Sequence, residues 1–470
     1  MKQFLSSLLA ITLSVVWISQ LSSCANIIPP SGGPRDSLPP RLVTAVPKDS
    51  AVNVRSRNIT LTFDEFVTLQ NASQSLIISP NHSAQGQPFV DYKLRNVVVR
   101  LKDSLEANTT YSLNFGDAIR DVNEGNIAQN FTYVFSTGST IDDNTYSGKV
   151  ILAETGRTDS TLIVLLHKDL ADTAVLKERP RYYTRLNGKG EFSFRNLPQG
   201  QFAVYVLPGS GISQRYDDST KMFAFRNGLV NLGSSTQRDT LYAFEEAKRK
   251  EFKTTATTPK ATAAVRDEKR LRYTHNLDNG SQDLLGQLTL SFNRKLTGFD
   301  TSRFILSDTV SFTPLQGARY RLDSTGTKVL ISYPWKEAQA FRLQIAQDAV
   351  ADSAGTRLSK GDTLRFFAKR GSDYGSIRIR FSNLDLSKNP VLQLVQNDKL
   401  FESVPLTVTD FQRKLYQPGT YELRILYDTN KNGVWDSGNF KLKRQPEVVY
   451  LVPRQLAIRA NWDNEVTISL

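Results

Sequence analysis

Short runs alternate apolar and polar residues along most of this chain. Ile59-Leu61-Phe63, Tyr111-Leu113-Phe115, Phe341-Leu343-Ile345 and Tyr421-Leu423-Ile425 each place large apolar side chains on every second position. Successive side chains of a strand face opposite sides, so these runs predict antiparallel strands buried on one face and solvated on the other. Helical periodicity is nearly absent. The exception is Tyr242 to Arg270, "YAFEEAKRKEFKTTATTPKATAAVRDEKR", which is charged and rich in Thr and Ala and reads as a linker, helical in part. The expected class is all-β, built of tandem sandwiches.

The two sides of that linker resemble each other. "LTFDEFVTL" from Leu61 is echoed by "LTLSFNRKLTGFD" from Leu288, and "DAIRDVNEGN" from Asp117 by "DAVADSAGTR" from Asp348, at nearly equal intervals. "LPQGQFAVYVL" from Leu197 likewise parallels "YQPGTYELRIL" from Tyr416, each a Pro-Gly turn entering an alternating strand. Self-similarity over this distance means duplicated domains in the order A-B-linker-A-B. We expect a rod of four domains in series.

The N-terminus has a different composition. Met1-Lys2 is basic, Phe4 to Trp17 is apolar, and Leu21-Ser22-Ser23 precedes Cys24, the only cysteine among 470 residues. This order of regions is that of a signal peptide over 1–23. Its end resembles a bacterial lipobox, which implies cleavage before Cys24 and acylation of that residue, with palmitate among the chains. A lone cysteine excludes an intrachain disulfide framework and a zinc-cysteine site. The following "ANIIPPSGGPRDSLPP" is a semi-extended tether over 24–40. The resemblance to lipoprotein sorting rules implies outer-membrane delivery, since Ala25 follows the cysteine. No acidic export tag is present, which favours the periplasmic face over the cell surface.

"PPRLVTAVPKDSAVNVRSRNITLTFDEFV", "NTTYSLNFGDAIRDVNEGN" and "FTYVFSTG" resemble the bacterial Ig-like domain of S-layer type, as found in Bacteroidota lipoproteins. "NGKGEFSFRNLPQGQFAVYVL" resembles the prealbumin-like or carboxypeptidase-regulatory sandwich. The resemblance implies Ig-like domains at 41–140 and, in divergent form, at 271–370. It implies prealbumin-like domains at 145–243 and 373–470, with the linker at 244–270. It carries over no catalytic residues.

Candidate chemistry is sparse. His82, His167 and His275 are isolated, and no metalloprotease, nucleophile-elbow or phosphate-loop motif is present. Asp64 and Glu65 are adjacent on a strand, so they face opposite sides and cannot flank one bond. Asp117, Asp121, Asn123 and Glu124 form a loop cluster that can either hold a cation or cap the loop through backbone bonds; the second reading is favoured because the repeat lacks the Asn and Glu. The net charge is +13, with basic clusters at Lys248, Arg249, Lys250 and Lys253 and at Lys441, Lys443 and Arg444. In an exported protein these suit anionic lipid or glycan better than nucleic acid. The chain reads as a non-enzymatic envelope module that binds or scaffolds a protein or glycan. The alternative is an accessory or catalytic module of a carbohydrate- or peptide-processing system.

One stretch bears on metal binding. In "DTNKNGVWDSGN" the offsets of a calcium loop fall on Asp428, Asn430, Asn432, the Val434 carbonyl and Asp436, with Gly433 at the sharp turn. The closing position is Asn439 instead of Glu, so Glu447 would have to fold back. A tight Asn432-Gly433 turn explains the same letters without an ion. Four side-chain oxygens at the right offsets exceed what a turn needs, which favours a structural Ca2+.

Overall fold

A computed structural model describes residues 35–81, 88–209, 214–233, 237–247 and 270–470. The signal segment, Cys24, the tether up to residue 34, His82 and the linker from 248 to 269 lie outside the described residues. Nearly every element is a strand, and the described helices are single turns. None of them is long and apolar enough to cross a membrane. The strands sort into four units, each around its own apolar cluster.

Unit one shows how the alternation works. Asn58–Phe63 turns Ile59, Leu61 and Phe63 inward and Asn58, Thr60 and Thr62 outward. It lies between Leu42–Val46 and Asn96–Arg100, with Phe89–Lys93 at the far edge. The facing sheet is Ile77–Ser79, Thr110–Gly116 and Phe131–Ser136. Unit three repeats the plan. Tyr273–His275, Leu288–Phe292, Lys328–Ser332 and Arg319–Leu322 face a sheet that runs through Ala340–Ile345 and Asp362–Ala368. Even the side-chain fastenings recur. Asp64 accepts from the Arg41 amide at 2.8 Å, and Asn293 accepts from the Arg272 amide at 2.9 Å.

Units two and four are also copies of one plan. In each, a three-stranded sheet ends in a parallel pairing, Asn144–Leu152 with Gln237–Ala243 and Gly375–Ser382 with Asp463–Ser469. The larger sheet of unit two centres on Leu162–His167 and Gly200–Pro208, and that of unit four on Pro390–Gln396 and Gly419–Tyr427. The strands quoted for the Pro-Gly similarity, Gly200–Pro208 and Gly419–Tyr427, hold equivalent places.

One sheet of unit two breaks the alternation, for a reason that changes the architecture. Leu162–His167 is buried at every position. Leu162, Val164 and Leu166 face the sandwich core, while Ile163 and Leu165 face a second apolar cluster on the outer side. Phe202, Val204 and Val206 divide from Ala203, Tyr205 and Leu207 in the same way. A sheet covered on both faces reads as a continuous apolar run. The outer cover includes Trp435 and Phe440 of unit four. A rod of units in series is therefore corrected: units two and four pack against each other. The expected linker start at 244 also falls inside packed chain, since Phe244 is buried and its N–H and C=O both pair with Phe223 at 2.8 Å.

His167 closes its strand in this doubly covered sheet, edge-on to Tyr205 at 5.6 Å between ring centres. It is buried, and its Nε2 has no partner among the described residues. Burial holds its pKa down at about 4, against a weaker opposing pull from Asp169. The folded state thus favours neutral imidazole, and its contribution is complete above the ordinary value near 6.5 and declines as pH falls toward 4. Each pH unit in that window corresponds to about 1.4 kcal/mol at most. We expect thermal stability to fall between pH 6.5 and 4 and His167→Gln to flatten that dependence in pH-dependent melting curves; an unchanged pH profile would refute it.

Candidate functional site

The residues from 428 to 447 connect Gly419–Tyr427 to Val448–Leu451 in unit four. They contain the calcium-like stretch, and they make the contact with unit two.

The first half of the connection folds around buried carboxylates. Asp428 Oδ1 accepts from the backbone N–H of Lys431 at 2.7 Å and Asn432 at 3.3 Å, and Oδ2 accepts from Gly433 at 2.7 Å. Gly433 sits at φ 77°, the left-handed region where the absent Cβ matters. Glu447 folds back over the start of the loop. Its Oε1 accepts from the Thr429 N–H at 2.7 Å and hydroxyl at 2.6 Å, and Oε2 accepts from the Asp436 N–H at 3.1 Å. Asn430 and Asn432 each donate a side-chain N–H to Asp436 Oδ2, at 2.6 and 2.7 Å. Their own oxygens accept from the N–H of Asn432 and Val434. The fold thus brings Asp428, Asn430, Asn432, Asp436 and Glu447 together, while the Val434 side chain stands in solvent.

These bonds close the loop with its own donors. Among the described residues no group of three or more His, Cys, Asp or Glu is placed to hold a metal ion. To face a cation, the amides of Asn430 and Asn432 would turn their oxygens toward Asp436 and give up the bonds described above. Asn439 plays a different part from the twelfth ligand. It pairs with Arg444 through N–H···O bonds of 2.8 and 2.9 Å, closing a tight turn that carries Phe440.

Phe440 is the centre of the second half. Its ring is buried among Phe223, Phe225, Tyr205 and Tyr216 of unit two, at 5.1, 5.3, 5.8 and 6.4 Å between ring centres. All four contacts are edge-on, the arrangement that aligns ring edges with the negative faces of neighbours. Glu246 ties the pocket together: its carboxylate accepts from the Tyr216 hydroxyl at 2.7 Å and from the Phe440 N–H. Burial, and next the bond to Glu246, push the Tyr216 phenol well above its ordinary pKa. Lys443 stands 4.0 Å above the Phe440 ring centre and pairs with Asp172.

Hydrogen bonds to backbone carbonyls of unit two extend the junction. Ser437 Oγ donates to the Glu245 carbonyl at 2.6 Å, Gln445 Nε2 to the Phe225 carbonyl at 3.0 Å, and the Val449 N–H to the Ala153 carbonyl at 2.9 Å. Gly156 and Gly438 permit this closeness. A Cβ on Gly156 would lie 2.7 Å from the Leu451 nitrogen, and one on Gly438 would lie 2.6 Å from the Phe244 ring. Arg157 adds an ion pair to Glu422 at 2.7 Å.

Other candidates resolve into structure. Asp121 accepts from the N–H groups of Glu124, Gly125 and Asn126 at 2.6 to 2.9 Å. Burial raises its pKa, but the bonds from Gly125, Glu124 and Asn126 prevail and hold it below the usual range. Asp352, at the matching place in unit three, accepts from Arg294, Ala354 and Thr356 and is held at about 2, chiefly by Arg294. Among the described residues Asp117, Asp121 and Glu124 do not form a group placed to hold a metal ion. Asp64 is engaged with Arg41. Glu65 has its pKa raised by burial first, then by Asp121, Asp64, Asp36 and Glu124. His275 is exposed on its strand.

Sequence reasoning missed Phe440, Glu246, Gly156 and Gly438. The signal was present in two places: the continuous apolar run before His167, and the aromatic residues Trp435 and Phe440 inside a long polar connection.

Residues 36–137 match the family model described as "Bacterial Ig-like domain". No curated protein matches the chain. Among solved structures, it is similar to a crystal structure of native alpha-2-macroglobulin from Escherichia coli spanning domains MG0-NIE-MG1. Identity there is 12%, over 41% of this chain and 92% of that one, with a TM-score of 0.20. It is also similar to BcpA, the major pilin subunit of Bacillus cereus, at 10% identity over 70% and 99%, with a TM-score of 0.17. A third similarity is to the N-terminal part of the bacterial S-layer protein SbsC, at 13% identity over 37% and 42%, with a TM-score of 0.16.

Removing the buried Asp428 carboxylate leaves the N–H groups of Lys431, Asn432 and Gly433 without their acceptor. We expect Asp428→Ala to lower stability by about 2–3 kcal/mol in chelator as well as in millimolar calcium. Equilibrium unfolding under both conditions checks this. A loss confined to calcium-containing buffer would assign the carboxylate to an ion instead of to the loop.

Proposed function

We propose that this chain is a non-catalytic envelope lipoprotein, acylated at Cys24, that holds two Ig-like units in fixed relation as a scaffold for an envelope protein or glycan. The supporting observation is the junction of units two and four. It joins the two halves of the chain through a buried aromatic ring, backbone bonds and close glycine contacts, so units one and three depart from one central block. Unit one is fastened to unit two by the Arg181–Glu106 pair and by Arg185 donating to the Ser75 carbonyl at 2.7 Å. Unit three is fastened to unit four where the Tyr374 hydroxyl meets Asp283 at 2.6 Å and the Leu284 N–H at 2.7 Å. Fixed spacing is what a scaffold supplies, and loops at sandwich ends are the usual places of recognition.

The absence of a reaction from this reading is supported by what the buried carboxylates do. Asp121, Asp352, Asp428 and Glu447 are occupied by backbone and side-chain donors that shape turns. A location at the outer membrane, on the periplasmic face, follows from the lipobox resemblance and Ala25, and nucleic acid has no part in it. For the loop at 428–447, a weakly held structural Ca2+ remains the proposal drawn from its offsets, supported by Glu447 having folded back into it.

Two experiments test this. Phe440→Ala should cost about 3–5 kcal/mol at the junction and let the halves separate, read as a larger radius of gyration in small-angle scattering while each unit keeps its strands. An unchanged radius in Phe440→Ala and in Gly438→Leu would overturn the fixed-scaffold reading. For the anchor, Cys24→Ser should move the chain from the membrane fraction to soluble fractions or stall its precursor. Retention with membranes after a high-salt wash would show that acylation is not the anchor.

A further inference from the structure

The tether enters unit one at an end that displays apolar side chains. Arg35, the first described residue, donates to the Glu124 carbonyl at 3.2 Å, and the Asp36 carbonyl accepts from Asn126 at 3.1 Å. Beside that loop stand Val122, Phe66 and Leu94, which are 56%, 49% and 64% exposed. They are neighbours through the backbone. The Val122 N–H donates to the Phe66 carbonyl at 3.1 Å, and the Val67 N–H to the Leu94 carbonyl at 2.9 Å. Arg95 stands 5.5 Å above the Phe66 ring. Leu38, also exposed, is part of the incoming chain.

Leu94 is placed against both solvation and backbone preference. It lies at φ 57°, the left-handed region that glycine and asparagine adopt with least strain. An exposed leucine there costs twice, once in backbone strain and once in apolar surface left in water. Asn or Gly would remove both costs.

We propose that this end of unit one, formed by Phe66, Leu94 and Val122, rests on the zwitterionic surface of the bilayer that holds the acyl anchor. The proposal rests on acylation at Cys24. Between Cys24 and Arg35 the chain spans at most about 40 Å when fully extended, so this end is the part of the molecule held nearest the lipid. A short tether turns a weak surface contact into an intramolecular one at an effective concentration on the order of millimolar. Three exposed apolar side chains then suffice. The charges around them are mixed. Arg35, Arg41 and Arg95 can meet headgroup phosphates, while Asp36, Asp64, Glu65 and Glu124 suit headgroup ammonium groups and oppose an anionic surface. That balance favours net-neutral lipid.

The test uses the full acylated chain in phosphatidylcholine–phosphatidylethanolamine vesicles, with a single fluorophore at Val122→Cys or, for comparison, at Val310→Cys in unit three. Cys24 is the only native cysteine and is blocked by its acyl chain. Lipid-borne quenchers should reduce emission at position 122 several-fold more than at position 310. Leu94→Asn, which relieves the backbone strain and so should fold, should remove most of that difference. Equal quenching at both positions on chain that floats with vesicles overturns the docking surface and leaves the anchor standing. Chain that does not float overturns both. A probe at 122 that responds to protein concentration without vesicles assigns the face to a second copy and overturns the proposal.

Discussion

Phe440 completes the core of a unit far earlier in the chain, and the arrangement of the whole molecule depends on that insertion. The larger sheet of unit two is apolar on both faces, and only one face is used by its own sandwich. Burying the other is worth roughly 25 cal/mol for every Å2 of apolar surface removed from water. The turn closed by Asn439 and Arg444 delivers a ring to the centre of that face. Glu246 fixes the depth of insertion by accepting from both Tyr216 and the Phe440 backbone. Glycine at 156 and 438 then lets backbone meet backbone and ring. An aromatic anchor surrounded by satisfied polar groups is the anatomy of a well-packed interface. Here it lies between units of one chain, where no association entropy opposes it.

Buried carboxylates do the complementary work of ending strands. A strand that leaves a sheet exposes N–H groups that must find acceptors. Asp121 in unit one and Asp352 in unit three each gather backbone N–H groups at the same point of the repeat. Asp428 and Glu447 do so in the long connection of unit four. Acidic residues clustered with Asn and Gly therefore look alike whether they hold an ion or a turn. What separates the two is where each oxygen points, and the carboxylates of Asp121, Asp352, Asp428 and Glu447 accept from donors of the protein's own.

The duplication explains both the symmetry and its break. Units one and three share their fastenings down to Asp64 and Asn293, and units two and four share their parallel closing strands. Unit four carries the connection with Phe440, and unit two offers the pocket that takes it. The two copies are thus complementary instead of merely repeated. A duplicated pair that diverged in this way acquires a contact that neither copy would have alone.

The sequence by itself determined the local structure. Period-two runs specify which side chains of a strand go inward, because the backbone alternates faces regardless of context. The Pro-Gly turns, the matching intervals and the lipobox-like start are equally local, so the all-β class, the repeat and the candidate Cys24 could be read directly. The offsets of Asp428, Asn430, Asn432 and Asp436 were also legible. Only the tertiary structure decided what covers the outer face of the sheet at Leu162–His167. An apolar run shows that a second cover exists but not which distant residue supplies it, since burial is non-directional. It also decided the use of each carboxylate, because that depends on donors brought in by folding and not on spacing along the chain.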